Sequence, residues 1–196
     1  MALTDKKRDQ ILEAAVAEFQ ETGYAGASMD RIAGRANVSK RTVYNHFESK
    51  EDLFHAIMQI MEEQAIPALN IVYDPARPID AQLRELARGE GKLLTSPAFM
   101  ALARLVVGEV IRDPVLAGTM NSRLDKVAVF QRFMAAALAD GAIRVADPDV
   151  AGQQFLGLIK ARAFWPHVFS GGAVSKDQME RIVEETVELF LKASGP

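Results

Sequence analysis

Between Arg31 and Phe54 the sequence reads RIAGRANVSKRTVYNHFESKEDLF, and Lys40, Arg41, Thr42, Tyr44, Asn45 and His46 put six hydrogen-bonding side chains into seven residues. These types suit a polyanion. Arginine offers a planar fork for phosphate or a guanine edge, lysine a point charge, and tyrosine, threonine and histidine hydrogen bonds to phosphate. Asn45 can pair with an adenine edge or stand as plain polar surface, and Thr42 can touch a thymine methyl or a phosphate. Residues 24–50 carry Arg31, Arg35, Lys40, Arg41 and Lys50 against Asp30 and Glu48, in a chain of formal net charge −3. A local basic segment on an acidic body fits a polyanion site, although a solvated helix face would carry the same charge.

The elements that must position these residues are helical. In TDKKRDQILEAAVAEFQETGY, Ile11, Leu12, Ala15 and Phe19 fall on one face, with Thr4 as N-cap and Gly23 as stop. Ser28 caps a second helix that buries Met29, Ile32 and Ala33, and Asn37–Ser39 form a tight turn. Ser39 caps a third helix with Val43 and Phe47 inward, and Ser49 with Asp52 opens a fourth. Pro67 breaks or kinks that helix, and Pro75 and Pro78 mark a loop before a helix from about Asp80 to Leu94. Ser96–Pro97, Asp113–Pro114 and Asp147–Pro148 are helix starts, Gly141 a stop, and Ser175 with Gln178 opens a last helix to about Ala193. With no alternating strand pattern, the chain reads as all-α with about nine helices.

Two short helices joined by a tight turn form a helix-turn-helix, whose second helix lies in the major groove of DNA. Ala33, Val38 and Val43 are small enough at the crossing, and the third helix has too little apolar surface to serve only as core. The N-termini at Ser28, Ser39 and Ser49–Lys50 offer free N–H groups to phosphate. Other chemistries fit poorly. The chain has no cysteine, which excludes disulfides, zinc fingers and thiol catalysis. In GEGKL, Leu86 stands where a P-loop needs its first glycine, and Leu93 where it needs Ser or Thr. Neither H-E-x-x-H nor G-x-S-x-G occurs, and His55 and His167 are too scattered for a metal site. No catalytic residue, metal or cofactor is expected. A helical adaptor that merely keeps a DNA-reader fold remains an alternative.

EAAVAEFQETGYAGASMDRIAGRANVSKRTVYNHFESKEDLF resembles the N-terminal domain of the TetR family of bacterial transcriptional regulators. The ordered features ILEAA…F…GY, MDRIA and A.VSK.T.Y.HF.SKE.L cover about residues 8–54. The chain departs from the family at Arg41, where a small residue, often glycine, is usual. The resemblance implies a DNA interface of Ser28, Ser39, Lys40, Arg41, Thr42, Tyr44, Asn45, His46 and Lys50, with Tyr44 and His46 on phosphates. It also implies a DNA-binding domain over 1–50 and an effector-binding and dimerisation domain over 51–196. MALARLVVGEVIRDPVLAGTM and GAIRVADPDVAGQQFLGLIKARAFWP are similar to the AefR-like branch.

In this larger domain Met58, Met61, Phe99, Met100, Met120, Phe130, Phe133, Met134, Phe155 and Trp165 supply soft and aromatic bulk suited to an effector cavity, although each also suits ordinary core. Arg104, in an otherwise apolar helix, is the first candidate for a polar anchor and must find a carboxylate, a carbonyl or solvent. Gly157 and Ala161, with Ile182, Val183, Thr186 and Phe190, lie on two helices apolar on more than one side, as a homodimer interface requires. The expectation is a homodimeric repressor, released from a palindromic double-stranded operator by a small hydrophobic or amphipathic effector. Neither a secretion signal nor an apolar run of about 18 residues is present, so a cytoplasmic protein without membrane contact is expected.

Overall fold

In the computed structural model, which describes residues 3–69, 71–112 and 126–195, every regular element among the described residues is an α-helix. The elements are α1 (Leu3–Gly26), α2 (Met29–Arg35), α3 (Lys40–His46), α4 (Lys50–Leu69), α5 (Ile79–Leu94), α6 (Pro97–Arg112), α7 (Lys126–Ala139), α8 (Pro148–Ala163), α9 (Trp165–Ser170) and α10 (Lys176–Ser194). The start expected at Asp113–Pro114 lies outside the described residues.

Side-chain caps set most of the helix starts. The Oγ atoms of Ser28, Ser39, Ser49, Ser96 and Ser175 accept from the backbone N–H groups of Arg31, Thr42, Asp52, Phe99 and Gln178 at 3.1–3.3 Å. Asp147 accepts from Asp149 N at 2.8 Å. Each such cap stabilises its helix by about 1 kcal/mol. The chain is already helical at Leu3, ahead of the start expected at Thr4. Gly23 interrupts α1 with φ +72, a conformation that glycine adopts without Cβ strain. α4 continues past Pro67 to Leu69. A short helix not anticipated from sequence, α9, follows directly on α8.

The chain divides into two compact units, Met1–Met61 with Leu105–Gly118, and Glu62–Arg104 with Thr119–Pro196. In the first, Ile11, Ala15, Phe19, Ile32, Val43 and Phe54 form a buried core across α1–α4. Phe19, Tyr24 and Phe54 pack ring against ring, with centroids 5.2–6.4 Å apart. Glu18 is 1% exposed and accepts from the guanidinium groups of Arg31 and Arg35. Hydrogen bonding from Arg31 holds the Glu18 carboxyl below the usual carboxylate range, against the opposing effect of burial.

In the second unit, Leu83, Leu86, Phe130, Met134, Phe155, Ile159, Ile182 and Val183 are buried among α5, α7, α8 and α10. Helix α8 crosses α7 at Gly152, where a Cβ would lie 2.9 Å from the backbone nitrogen of Gln131. Helix α5 meets α10 at Gly91, where a Cβ would lie 2.9 Å from Cγ of Met179. Along the outside of that seam Arg84 bonds Glu184 at 2.7 Å and Asp80 at 2.6 Å, and Arg88 bonds Glu180 and Glu184. These pairs are partly exposed, so they fix register more than they stabilise. No single described helix is long and apolar enough to cross a membrane.

Gly152→Ala is expected to cost about 1–3 kcal/mol in urea unfolding, because backbone cannot yield as a side chain does. Gly157→Ala, whose Cβ would meet nothing within 4 Å, is expected to be neutral or slightly stabilising. Equal losses for both would contradict the close crossing. Glu18→Gln is expected to cost about 1–3 kcal/mol at pH 7, because charged donors lose their acceptor. A carboxyl whose folded value is lowered contributes fully above its unfolded value and loses that contribution as pH falls through the folded one. The gap between wild type and Glu18→Gln should therefore narrow in acid, and a gap unchanged between pH 7 and pH 3 would refute the role.

Candidate nucleic-acid interface

Helix α3 has one inward row and one outward row. Val43 and Phe47, four residues apart, are buried, while Lys40, Arg41, Tyr44 and Asn45 are exposed and Thr42 and His46 are half-buried. Ser39 caps the helix and also hydrogen-bonds the Thr42 hydroxyl at 2.8 Å. Behind the helix, Val38 N donates to Ala33 O at 3.1 Å, and Asn37 takes a left-handed φ of 52, which asparagine tolerates better than most residues. Backbone bonds thus close the turn onto the end of α2, and no side chain of the outward row of α3 is needed to hold it.

The five cations counted in the sequence have different surroundings. Arg31 donates to Glu18 and to the Gly26 carbonyl, and Arg35 to Glu18 and Glu21. The Glu21 hydrogen bond raises Arg35 above its usual value. Lys50, expected among the phosphate contacts, donates to the Tyr24 carbonyl at 2.7 Å and lies 4.5 Å from the centroid of the Tyr24 ring. It thereby ties the start of α4 to the end of α1. Lys40 pairs with Asp30, both well exposed. Arg41 is exposed and makes no ion pair or hydrogen bond with the described residues. Ser28 and Ser39 are both in use as N-caps.

The residues expected to line an effector cavity are divided. Met58 and Met61 are buried in the first unit, and Phe99, Met100, Phe130, Phe133, Met134 and Phe155 in the second. Phe155 packs edge-on against Phe190 at 5.1 Å, joining α8 to α10. Phe133 also lines a cavity of about 160 Å³ with Ile71, Val72, Tyr73, Val129, Arg132 and Ala136. There the Tyr73 hydroxyl donates to Asp140 at 2.6 Å, and that hydrogen bond pushes its pKa up to about 12. Met120 lies outside the described residues. Trp165 does not join the interior. The chain restarts as α9 at Trp165–Pro166, leaving the indole 44% exposed and stacked on Phe169. Arg104 meets the carbonyls of Gly172 at 2.8 Å and His167 at 3.4 Å.

The residues expected at a dimer interface also separate. Ile182, Val183, Thr186 and Phe190 are buried against this chain's own second unit, and Phe190 also borders an open groove. Helix α10 turns this stripe toward α5 and α8. Gly157 and Ala161 line that groove, of about 390 Å³, with Gln154, Leu158, Leu189, Phe190 and Ala193. Leu189 is 54% exposed there.

Two acids escaped the sequence reading. Glu18 was visible as a glutamate beside Phe19 in an apolar helix, and Glu90 as a charge on the stripe Leu83, Leu86, Ala87, Glu90, Leu94. Glu90 is 1% exposed, and its Oε2 has no hydrogen-bond partner. A charged residue at a core position of an apolar repeat is the signal that would have found it.

Residues 11–57 match the family model for bacterial regulatory proteins of the tetR family, and residues 81–196 match the C-terminal domain of AefR-like transcriptional repressors. A TetR family transcriptional regulator from Pseudomonas syringae pv. tomato str. DC3000 is 40% identical, with TM-score 0.85 over 98% of this chain and 99% of that one. AibR, solved with isovaleryl coenzyme A and operator DNA, is 25% identical, with TM-score 0.65 over 93% of this chain and 97% of that one. The HTH-type transcriptional activator FasR of Mycolicibacterium smegmatis is 49% identical over 55 residues, 28% of this chain and 25% of FasR. The matched segments span between 25% and 58% of the length of such curated relatives. With both halves matched and a full-length structural relative, the chain belongs to the TetR family of bacterial transcriptional regulators.

Proposed function

We propose that this regulator is a homodimeric repressor that reads a palindromic operator through α3 and is released by a small apolar or amphipathic effector. The observation that carries the DNA reading is the outward row of α3, where Arg41 has no partner within the described residues while Arg31, Arg35 and Lys50 are engaged in holding the helices. Residues 1–50 form the reading domain and residues 51–196 the effector and dimer domain. Arg41 reads a base edge or phosphate early in the recognition helix, Lys40, Tyr44 and His46 lie against phosphates, and Thr42 and Asn45 face the groove. The likeness to AibR, whose structure holds both an acyl coenzyme A and operator DNA, supports a regulator with two ligands.

The dimer reading is supported by the groove at Gly157, Ala161 and Leu189, since an apolar surface with small residues at its floor lets two helices approach closely. Two-fold symmetry would bring α8 and α10 of each subunit into a four-helix interface. The effector acts by binding one arrangement of the dimer better than the other, which is the only way a ligand shifts a conformational equilibrium. Helix α4, which contributes residues to both compact units, is the element through which the shift reaches α3.

Arg41→Ala is expected to weaken operator binding by about 1–3 kcal/mol and to relax preference at one position per half-site. Binding should fall steeply with salt as phosphate contacts release counterions. Fluorescence anisotropy on operator and scrambled duplexes measures both. An unchanged affinity in a Lys40/Arg41/Tyr44 triple alanine variant would remove α3 as the reader. For assembly, Gly157→Arg should turn a dimer into a folded monomer in light scattering at micromolar concentration, because nothing in the subunit itself crowds that position. A wild-type monomer, or a Gly157→Arg dimer, would refute this interface.

A further inference from the structure

Helix α5 carries one apolar stripe, Leu83, Leu86, Ala87, Leu94, and Glu90 falls in the middle of it. Arg84 and Arg88 of the same helix reach acids of α10, and its other buried polar side chain, Gln82, is bonded to the backbone of Asp74 and Arg77. Three glutamates are buried among the described residues: Glu18, Glu90 and Glu109. Glu18 is met by Arg31 and Arg35, and Glu109 by Arg112 at 2.9 Å. Glu90 differs, because its buried Oε2 accepts from no donor. A second buried carboxylate oxygen, Oε1 of Glu62 on α4, is unpartnered in the same compact unit. No buried side chain among the described residues is basic.

A buried carboxylate oxygen without a donor is costly and calls for an account, of which a bound ligand that donates to it is one. One or two carboxylates are too few for a calcium or magnesium site, which needs six or more oxygens. Arg104, the side chain expected as the polar anchor, is bonded to the carbonyls of Gly172 and His167. The interior of the effector domain therefore offers an acceptor in need of a donor and, among the described residues, no unengaged buried cation. We infer that Glu90 is the polar anchor of the effector site, and that the effector is an apolar body bearing an ammonium or hydroxyl donor. This rests on the ligand-released reading above and narrows its ligand class to donors, away from simple carboxylic acids.

The test uses full-length protein and matched probes on three frames, benzyl, 1-naphthylmethyl and n-hexyl, each bearing an ammonium, a hydroxyl or a carboxylate. Affinities are measured by calorimetry for wild type, Glu90→Gln, Glu90→Leu and the exposed control Lys92→Ala, with operator release followed by anisotropy in parallel. On the frame that binds best, the ammonium probe should bind wild type at least tenfold more tightly than the carboxylate. Both Glu90 variants should lose that preference, and Lys92→Ala should keep it. The near-isosteric Glu90→Gln carries the test if Glu90→Leu does not fold. The inference is overturned if carboxylates bind best, if no ammonium or hydroxyl probe binds up to millimolar concentration, or if the preference survives in Glu90→Gln. A carboxylate that releases operator where ammonium probes do not would overturn the anchor and leave ligand release standing. An ammonium probe bound through Glu90 without release would support the anchor and overturn ligand release by it.

Discussion

The reading head depends on a single buried carboxylate. Glu18 lies inside the first unit and draws Arg31 and Arg35 of α2 onto α1. A charge placed there is tolerable because two guanidinium groups satisfy it, and removal of both arginines would leave it buried and unpaired. The clamp fixes α2, the backbone bond from Val38 to Ala33 fixes the turn, and α3 is held by the buried Val43 and Phe47 and by the exposed Lys40–Asp30 pair. Three of the five cations that mark this segment as basic, Arg31, Arg35 and Lys50, are thus engaged in holding helices together. Arg41 is the cation of this segment that makes no ion pair or hydrogen bond with the described residues.

This division explains why local chemistry was legible and its allocation was not. Ser28, Ser39, Ser49, Ser96, Asp147 and Ser175 each announce a helix start through a side chain that bonds a backbone group two or three residues away, so the signal is complete within the local sequence. The all-α fold and the helix-turn-helix followed from such signals together with apolar periodicity. The partners of Arg31, Lys50 and Arg104 are 13, 26 and 68 residues away, and no spacing rule reports them. The stripe Ile182, Val183, Thr186, Phe190 was legible from its spacing, and its burial against α5 and α8 was not. Periodicity shows that a helix has two faces without saying which meets its own core. Trp165 was displaced by a helix break that Pro166 permits but does not require.

In the second unit, close crossings at Gly152, against backbone, and at Gly91, against the Met179 side chain, bring α7, α8, α5 and α10 together. That tightness makes the exceptions informative. Where backbone approaches backbone at Gly152, glycine is a packing requirement. At Gly157, on the same helix, no neighbour requires it, and the open apolar groove there supports a role outside the subunit. Glu90 is the corresponding exception on α5, a charge on a face that otherwise excludes charge. Two residues that break the local pattern without benefit to the isolated chain are where binding partners are to be sought.

The central claim is that α3, presented by the Glu18 clamp, reads DNA sequence as one half of a symmetric pair. Selection of bound duplexes from a randomised pool by the wild-type protein, followed by sequencing, tests it with no operator sequence assumed. The result expected is a two-fold symmetric consensus whose half-site centres lie about one helical turn, or a multiple of it, apart. A pool that remains unenriched, or a consensus without two-fold symmetry, would contradict it.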